Sequence, residues 1–133
     1  MEPRRFVKDR SWKARLTCFR DAARGLKVHL ATQANARIHA GATVLAVALG
    51  LPLGLTPSEW LAVVVAIGLV WVAETFNTAL ETLVDFVSPE IREEAGRVKD
   101  IAAGAVLLAA ITAAVIGAII YVPKLLALTG GDS

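Results

Sequence analysis

The sequence predicts an all-α integral membrane protein, with one N-terminal amphipathic surface helix followed by three transmembrane helices. Three observations support this: 56% of the 133 residues are hydrophobic, the mean hydropathy is +0.59, and the apolar residues form three long runs after residue 37. A soluble protein is about half apolar, and its apolar residues are interrupted more often. The length suits one domain.

Residues 1–37 form a basic segment that precedes the apolar part of the chain. They contain ten of the 14 Lys and Arg residues and three acidic residues, which gives the segment a charge of +7. Such a segment is attracted to an anionic membrane face. The chain shows no nucleic-acid-binding module, so we expect no nucleic acid partner. We interpret residues 1–10 as a basic cytoplasmic tail.

Residues 11–36 have the pattern of an amphipathic interfacial helix. Apolar residues recur at steps of three and four, and basic residues flank them. The apolar positions are Trp12, Leu16, Phe19, Ala23, Leu26 and Leu30. We expect this helix to lie in the membrane interface. A helix packed on a soluble partner is the alternative.

The three apolar runs define a transmembrane core at 37–122, with spans at about 38–55, 59–87 and 100–122. Runs of this length cross, or nearly cross, a hydrocarbon layer about 30 Å thick. The third span carries small residues at four-residue steps, at Ala110, Ala114 and Ala118. Such rows let helices approach closely in lipid and favour bundle packing or self-association.

The distribution of positive charge predicts the orientation. The loop after the second span contains Arg92, Arg97 and Lys99, whereas the loop at 52–58 contains no Lys or Arg. Because positive loops stay in the cytoplasm, we expect the N-terminus and the Arg92–Lys99 loop there. The 123–133 tail is then external, with Lys124 as a minor exception.

The second span carries a row of polar residues. With Glu74 as the origin and 100° per residue, Asn77 falls at about −60°, Glu81 at about −20° and Asp85 at about +20°. All four therefore share one helical face. A charge deep in a transmembrane helix costs on the order of 3 kcal/mol, so such residues usually have a partner or a function. Simple pairing with Lys or Arg of neighbouring helices stays open.

Carboxylates and an amide at the membrane surface suit Mg²⁺ that carries phosphates. Lys99 and Asp100 add a cation and a further carboxylate at the same level. These residue types suggest transfer of phosphate to a lipid hydroxyl. Soluble-kinase loops, a Ser/His/Asp order and a Cys/His metal cluster are absent from the sequence. A small ion or proton carrier and a catalytically inactive scaffold are the alternatives.

Two motifs resemble those of the small prokaryotic diacylglycerol kinases, whose Gram-positive branch includes the undecaprenol kinases. The 74–85 segment, E-x-x-N-T-A-x-E-x-x-x-D, is similar to the first family signature, and K-D-I-A-A-G-A-V at 99–106 is similar to the second. N-A-R-I-H at 35–39 is similar to a stretch of the undecaprenol-kinase-like branch. The resemblance extends from about Phe19 to Val122.

The resemblance implies a domain-swapped homotrimer in the bacterial plasma membrane, with composite active sites on the cytoplasmic side. It also implies ATP as donor with Mg²⁺ as cofactor, and a membrane lipid alcohol, undecaprenol or diacylglycerol, as acceptor. Carried over to this sequence, Glu74 is the general base with Asn77 beside it, and Glu81 holds the metal. The nucleotide site is then lined by Glu81, Asp85, Lys99 and Asp100.

One position departs from the family pattern. The family often places a second metal-binding Glu on the amphipathic helix, eight residues after a glycine. Counting from Gly25 leads to Gln33. An amide oxygen can still bind Mg²⁺ but carries less charge, so we expect Gln33 as a weaker metal ligand.

Overall fold

The computed structural model describes residues 12–90 and 92–129 and contains four helices in them. They are α1 at Trp12–Thr32, α2 at Ala34–Gly50, α3 at Pro57–Val87 and α4 at Glu93–Thr129. The all-α architecture is therefore confirmed. The predicted basic tail at 1–10 and the last four residues of the predicted external tail lie outside the described residues.

Helix α1 ends before residue 36, the end that the sequence pattern predicts. The Thr32 hydroxyl donates a 2.9 Å hydrogen bond to the Val28 carbonyl, and Gln33 is extended, with φ −100° and ψ 123°. Side-chain bonds of this kind compete with the helical ladder. The chain divides into two compact units at this point, one ending at Thr32 and the other beginning at Gln33.

Within the first unit, α1 has the apolar side chains expected of an interfacial helix. Trp12, Leu16 and Phe19 are all strongly exposed. The Arg15 guanidinium lies 5.0 Å from the centre of the Trp12 ring, at cation–π distance.

Helix α2 is shifted from the predicted first span at 38–55. It begins at Ala34, ends at Gly50, and is followed by turns at 51–54 in which Gly54 has a φ of 61°. Its 17 residues correspond to about 25 Å. Among the described helices, only α3 and α4 are long and apolar enough to qualify as membrane spans. A third span formed by α2 stays a prediction.

Helix α3 begins with a capping box. The Glu59 amide donates to the Thr56 hydroxyl at 3.3 Å, and the Thr56 amide donates to the Glu59 carboxylate at 2.7 Å. Pro57 occupies the first turn, where no helical partner for its missing N–H is needed. These contacts explain why the helix starts directly after the loop.

Helix α4 extends beyond both ends of the predicted third span at 100–122. It begins at Glu93, because Glu93 and Glu94 in its first turn favour the positive end of the helix dipole. It continues through Pro123 to Thr129. The helix is therefore 37 residues long.

The second unit is held together at the end that contains Trp60, which we call the Trp60 end. Leu55, Val63 and Ile120 form a small buried core there. The Tyr121 hydroxyl of α4 donates a 2.8 Å hydrogen bond to the Ala46 carbonyl of α2. These contacts join all three helices of the unit.

Two further contacts strengthen the Trp60 end. Lys124 Nζ lies 3.2 Å from the Glu59 carboxylate, which links α4 to α3. Gly50 lies so close to Trp60 that a Cβ atom there would stand 2.7 Å from the indole Cη2 atom. Only a glycine allows this approach without movement of the ring.

Elsewhere the three helices expose large apolar side chains along most of their length. Leu45, Val65, Leu108 and Ile119 are examples from α2, α3 and α4. Such faces need lipid or other helices around them.

We predict that Gly50→Ala destabilises the protein. The new methyl group must displace the Trp60 ring, and overpacking of this kind typically costs about 1–3 kcal/mol. Thermal unfolding in detergent, followed by tryptophan fluorescence, measures the effect. Gly68→Ala is the matched control, because a Cβ at Gly68 meets no atom within 4 Å. Equal shifts in both variants would contradict the close approach.

Candidate active site

The polar row of α3 runs from a buried to an exposed position along one face. Glu74 is 2% exposed and Asn77 is 7% exposed, whereas Glu81 is half-buried and Asp85 is exposed. The same face continues toward the Trp60 end as buried Val63, Ala66 and Val70. A single helical stripe therefore changes from apolar to acidic at Glu74.

Glu74 is the most deeply buried large side chain among the described residues. Its Oε2 atom has no hydrogen-bond partner among residues 12–90 and 92–129. Burying a carboxylate without a partner costs free energy, because the lost hydration is not replaced. Glu74 therefore needs a ligand or a further chain to complete its surroundings.

Asn77 and Glu81 are joined, as their spacing of four residues allows. The Asn77 amide nitrogen donates a 3.0 Å hydrogen bond to Glu81 Oε1. This bond orients both side chains. It also leaves the buried Asn77 Oδ1 atom without a partner. Two buried oxygen atoms of the row, one on Glu74 and one on Asn77, are thus unsatisfied.

Asp85 and Lys99 meet across the turn between α3 and α4. Asp85 Oδ1 accepts a hydrogen bond from Lys99 Nζ, so the two predicted nucleotide-site residues form an ion pair. The contact is possible because α4 packs against α3, so that Lys99 near the start of α4 meets Asp85 near the end of α3. We call this the Asp85 end.

Two predicted site residues form no hydrogen bond or ion pair with the row among the described residues. The Asp100 side chain is exposed and forms no ion pair among the described residues. Gln33 is half-exposed, precedes α2, and makes no side-chain hydrogen bond to cap it. Within the described part of the chain, no group of three His, Cys, Asp or Glu side chains could hold a metal ion.

A surface pocket of about 190 Å³ lies beside the Asp85–Lys99 pair. Sequence reasoning missed three of its polar residues, Ser88, Glu90 and Arg92. Arg92 lies 3.2 Å from the Glu90 carboxylate. These three residues directly follow the acidic row in the sequence, and this position could have suggested a role in the site. Only the fold shows that they line one pocket.

The chain matches a family model described as prokaryotic diacylglycerol kinase over residues 20–121. This range includes most of α1 and nearly all of α2 to α4. It also contains every predicted site residue. The resemblance inferred from the two motifs is thereby confirmed.

Three curated relatives carry kinase names. An undecaprenol kinase of Bacillus subtilis is 35% identical over 107 residues, which cover 80% of this chain and 87% of the relative. A diacylglycerol kinase of Synechocystis is 42% identical over 117 residues, 85% of this chain and 65% of the relative. A diacylglycerol kinase of Escherichia coli is 32% identical over 92 residues, which cover 69% of this chain and 75% of the relative.

We predict that Lys99→Met changes the free energy of unfolding by less than about 1 kcal/mol, because exposed ion pairs contribute little. The side chains of Lys99 and Asp85 are 36% and 64% exposed, so solvent screens them. The midpoint of thermal unfolding in detergent tests this. Arg92→Met, which breaks the neighbouring Arg92–Glu90 pair, is the control. A much larger loss for Lys99→Met alone would show that its pair organises the turn.

Proposed function

The chain belongs to the prokaryotic diacylglycerol kinase family, and we propose that it transfers the γ-phosphate of ATP to the primary hydroxyl of a membrane lipid alcohol. The acceptor is undecaprenol or diacylglycerol, and the product is undecaprenyl phosphate or phosphatidic acid. The observation that carries the proposal is the buried, unpartnered Glu74 at the head of an acidic row that ends at the Asp85–Lys99 pair.

In this proposal Glu74 is the general base. It accepts the hydroxyl proton as the lipid oxygen forms a bond to the γ-phosphorus, and the bond from that phosphorus to the bridging oxygen of ADP breaks. Burial keeps water from competing for the phosphoryl group. Asn77 orients groups beside Glu74 and, through its bond to Glu81, fixes the next carboxylate of the row.

The donor set fits Mg²⁺, which prefers oxygen ligands and is usually held by one or two carboxylates together with substrate phosphates and water. Glu81 is the proposed carboxylate ligand, and Gln33 offers a weaker amide oxygen. When bound, Mg²⁺ neutralises charge on the ATP phosphates. One chain offers only two proposed protein ligands for Mg²⁺, and this small number is compatible with binding that relies mainly on phosphate and water oxygens.

We place the nucleotide at the Asp85 end. Lys99 provides positive charge for the phosphates, as phosphoryl transfer depends mainly on positioning and charge neutralisation. Glu81, Asp85 and Asp100 line the same region in the proposal. The 190 Å³ pocket beside the Asp85–Lys99 pair supports this placement, because it adds polar groups within reach of that pair.

We also propose a multi-pass arrangement in the bacterial plasma membrane, with α2, α3 and α4 as spans and the Asp85 end in the cytoplasm. Arg92, which lies between α3 and α4, and Arg97 and Lys99 in the first turns of α4 support this orientation. A domain-swapped homotrimer is the proposed assembly. The exposed apolar faces of the three helices and the missing partner of Glu74 both favour completion of the site by another copy.

The alternatives suggested by the sequence are less well supported. An ion or proton carrier needs polar groups continuing through the bundle, whereas the α3 face beyond Glu74 is apolar. Gln33 is the one residue that favours an inactive scaffold, whereas the acidic row of α3 has all of its residues.

We predict that Glu74→Gln lowers kcat by about 10²–10⁴-fold, the usual contribution of a general base. The amide keeps the shape of the side chain, so KM for ATP should change little. The measurement is transfer of labelled phosphate from ATP to a panel of lipid alcohols by protein reconstituted in bilayers. Wild-type protein should consume ATP only with an accepted alcohol.

Glu94→Gln is the matched control, because Glu94 is exposed and its ion pair among the described residues is with Arg97, away from the acidic row. It should retain wild-type turnover. Chemical cross-linking should show the same assembly in all three proteins. Full turnover by Glu74→Gln would contradict the assigned base, and no transfer by wild type to any alcohol would contradict the proposed function.

We predict that Glu81→Gln raises the Mg²⁺ concentration needed for half-maximal activity. Loss of a charged oxygen ligand weakens Mg²⁺ binding more than it weakens lipid binding. Activity at a series of free Mg²⁺ concentrations measures the shift.

Gln33→Glu provides the opposite change and should lower the required Mg²⁺ concentration. Glu93→Gln, on an exposed first turn of α4, controls for a general loss of negative charge. An unchanged Mg²⁺ dependence in Glu81→Gln would exclude Glu81 as the metal ligand.

A further inference from the structure

A side-chain hydrogen bond joins the middle of α2 to α3. The Trp71 indole nitrogen donates to the Thr43 hydroxyl at 3.1 Å, although the two residues lie 28 positions apart in the chain. Both side chains are half-buried. Neither residue belongs to the acidic row, and the proposed reaction does not use them.

The Thr43 hydroxyl is oriented for this bond by its own helix. It donates to the His39 carbonyl, one turn earlier in α2, at 2.8 Å. A bond of this kind uses the hydroxyl proton within the helix, so the oxygen lone pairs are left to accept a proton from a neighbouring helix. A partly buried indole N–H needs such an acceptor. The two side chains are therefore complementary.

Packing alone does not hold this part of α2 against α3. A cavity of about 320 Å³ lies between α2, α3 and α4, and Thr43, Ala66 and Ala113 are among the residues that line it. Atoms that face such a space lack dispersion contacts across it. Over residues 34–42, no other hydrogen bond or ion pair joins α2 to α3 within the described part of the chain.

The bond acts on a long lever. The Trp60 end fixes α2 at Ala46 and Gly50. From Gly50, Thr43 is seven residues away and Gln33 is 17 residues away, which correspond to about 10 Å and about 25 Å along the helix. If α2 pivots at Gly50, a displacement of about 1 Å at Thr43 becomes about 2.4 Å at Gln33.

The same bond sets the level of Gln33 relative to Glu81. Helices α2 and α3 run in opposite directions, because Gly50 meets Trp60 while the earlier Thr43 meets the later Trp71. Gln33 precedes Thr43 by ten residues, and Glu81 follows Trp71 by ten residues. Ten residues correspond to about 15 Å in each helix. The two proposed Mg²⁺ ligands therefore lie at the same axial distance from the bond.

We propose that Thr43 and Trp71 are positioning residues for the metal site. This inference rests on the proposed function: their hydrogen bond holds the start of α2 at the level where Gln33 offers its amide oxygen to the ion bound by Glu81. Mg²⁺ requires near-ideal octahedral geometry with ligands at about 2.0–2.1 Å, so a ligand displaced by about 2 Å is lost. A neutral amide depends on this positioning more than a carboxylate does, because charge attracts it less.

The test is Thr43→Val, which keeps the shape of the side chain and removes the acceptor. Binding of Mn²⁺ in place of Mg²⁺ is measured by electron paramagnetic resonance in bilayers, with a non-hydrolysable ATP analogue and no lipid alcohol, so that no turnover is needed. The Kd for Mn²⁺ should rise about two- to tenfold, the range that corresponds to one hydrogen bond.

Two variants serve as controls for Thr43→Val. Thr112→Val is matched, because the Thr112 hydroxyl is exposed and donates to the Leu108 carbonyl within α4. Thr43→Ser retains the hydroxyl. Both should bind Mn²⁺ as wild type does. Trp71→Phe, which keeps an aromatic ring and removes the donor, should reproduce the effect of Thr43→Val.

A second background distinguishes positioning of Gln33 from a general effect on the fold. In Gln33→Ala the amide ligand is already lost, so Thr43→Val should cause no further loss of Mn²⁺ binding. Changes that act through one shared group are non-additive, whereas independent changes add. An equal further loss in Gln33→Ala would overturn the inference.

Distances between spin labels measure the position of α2 directly. Cys18 is replaced by Ser, and the labels are attached to new cysteines at Ile38 of α2 and Leu83 of α3, which are both exposed. Labelled protein is reconstituted with excess unlabelled protein, so that distances within one chain dominate. Thr43→Val should shift or broaden this distance by more than about 1 Å, as the lever predicts, and Thr112→Val should not.

The outcomes separate this inference from the proposed function. If wild type phosphorylates a lipid alcohol, but Thr43→Val matches Thr112→Val in Mn²⁺ binding or in label distance, the positioning role is wrong and the kinase proposal stands. If wild type phosphorylates no alcohol, but Thr43→Val weakens Mn²⁺ binding only when Gln33 is present, the inference stands and the proposed function is wrong.

Discussion

The periodicity of a single helix underlies the candidate active site. Because α3 returns to the same face every three or four residues, Val63 and Val70 share that face with Glu74 and Glu81. The stripe is apolar where it meets the other helices and acidic toward the Asp85 end. One helix can thus present an apolar packing surface and a row of carboxylates on the same face. A shift of one residue would separate them by about 100°.

The two ends of the second unit have different physical characters. At the Trp60 end, the Gly50–Trp60 approach, the Tyr121–Ala46 hydrogen bond and the Glu59–Lys124 ion pair hold three helices together. At the Asp85 end, the contacts are exposed ion pairs, which stabilise little. The contacts that join all three helices therefore lie away from the proposed chemistry.

Much of the site was predictable because its spacing is local. Glu74, Asn77, Glu81 and Asp85 lie within 12 residues of one helix, so helical geometry alone places them on one face. The sequence predicted that Lys99 lies at the level of the row, but the Asp85–Lys99 ion pair also depends on α4 beginning at Glu93, before the predicted third span. Helix ends were less predictable: Gln33 interrupts the first helix, and α4 begins before the apolar run, because caps and charges rather than hydrophobicity decide where helices end.

The sequence by itself determined the all-α class, the acidic face of α3 and the family, since periodicity and local motifs carry that information. Only the tertiary structure decided that Asn77 bonds Glu81 while Glu74 stays unpartnered, and that Ala46, Ala66 and Ala113 leave a cavity instead of closing on one another. Those facts depend on distances between helices. Such distances are set by the side chains that pack between the helices. They cannot be inferred from the residue pattern of a single helix.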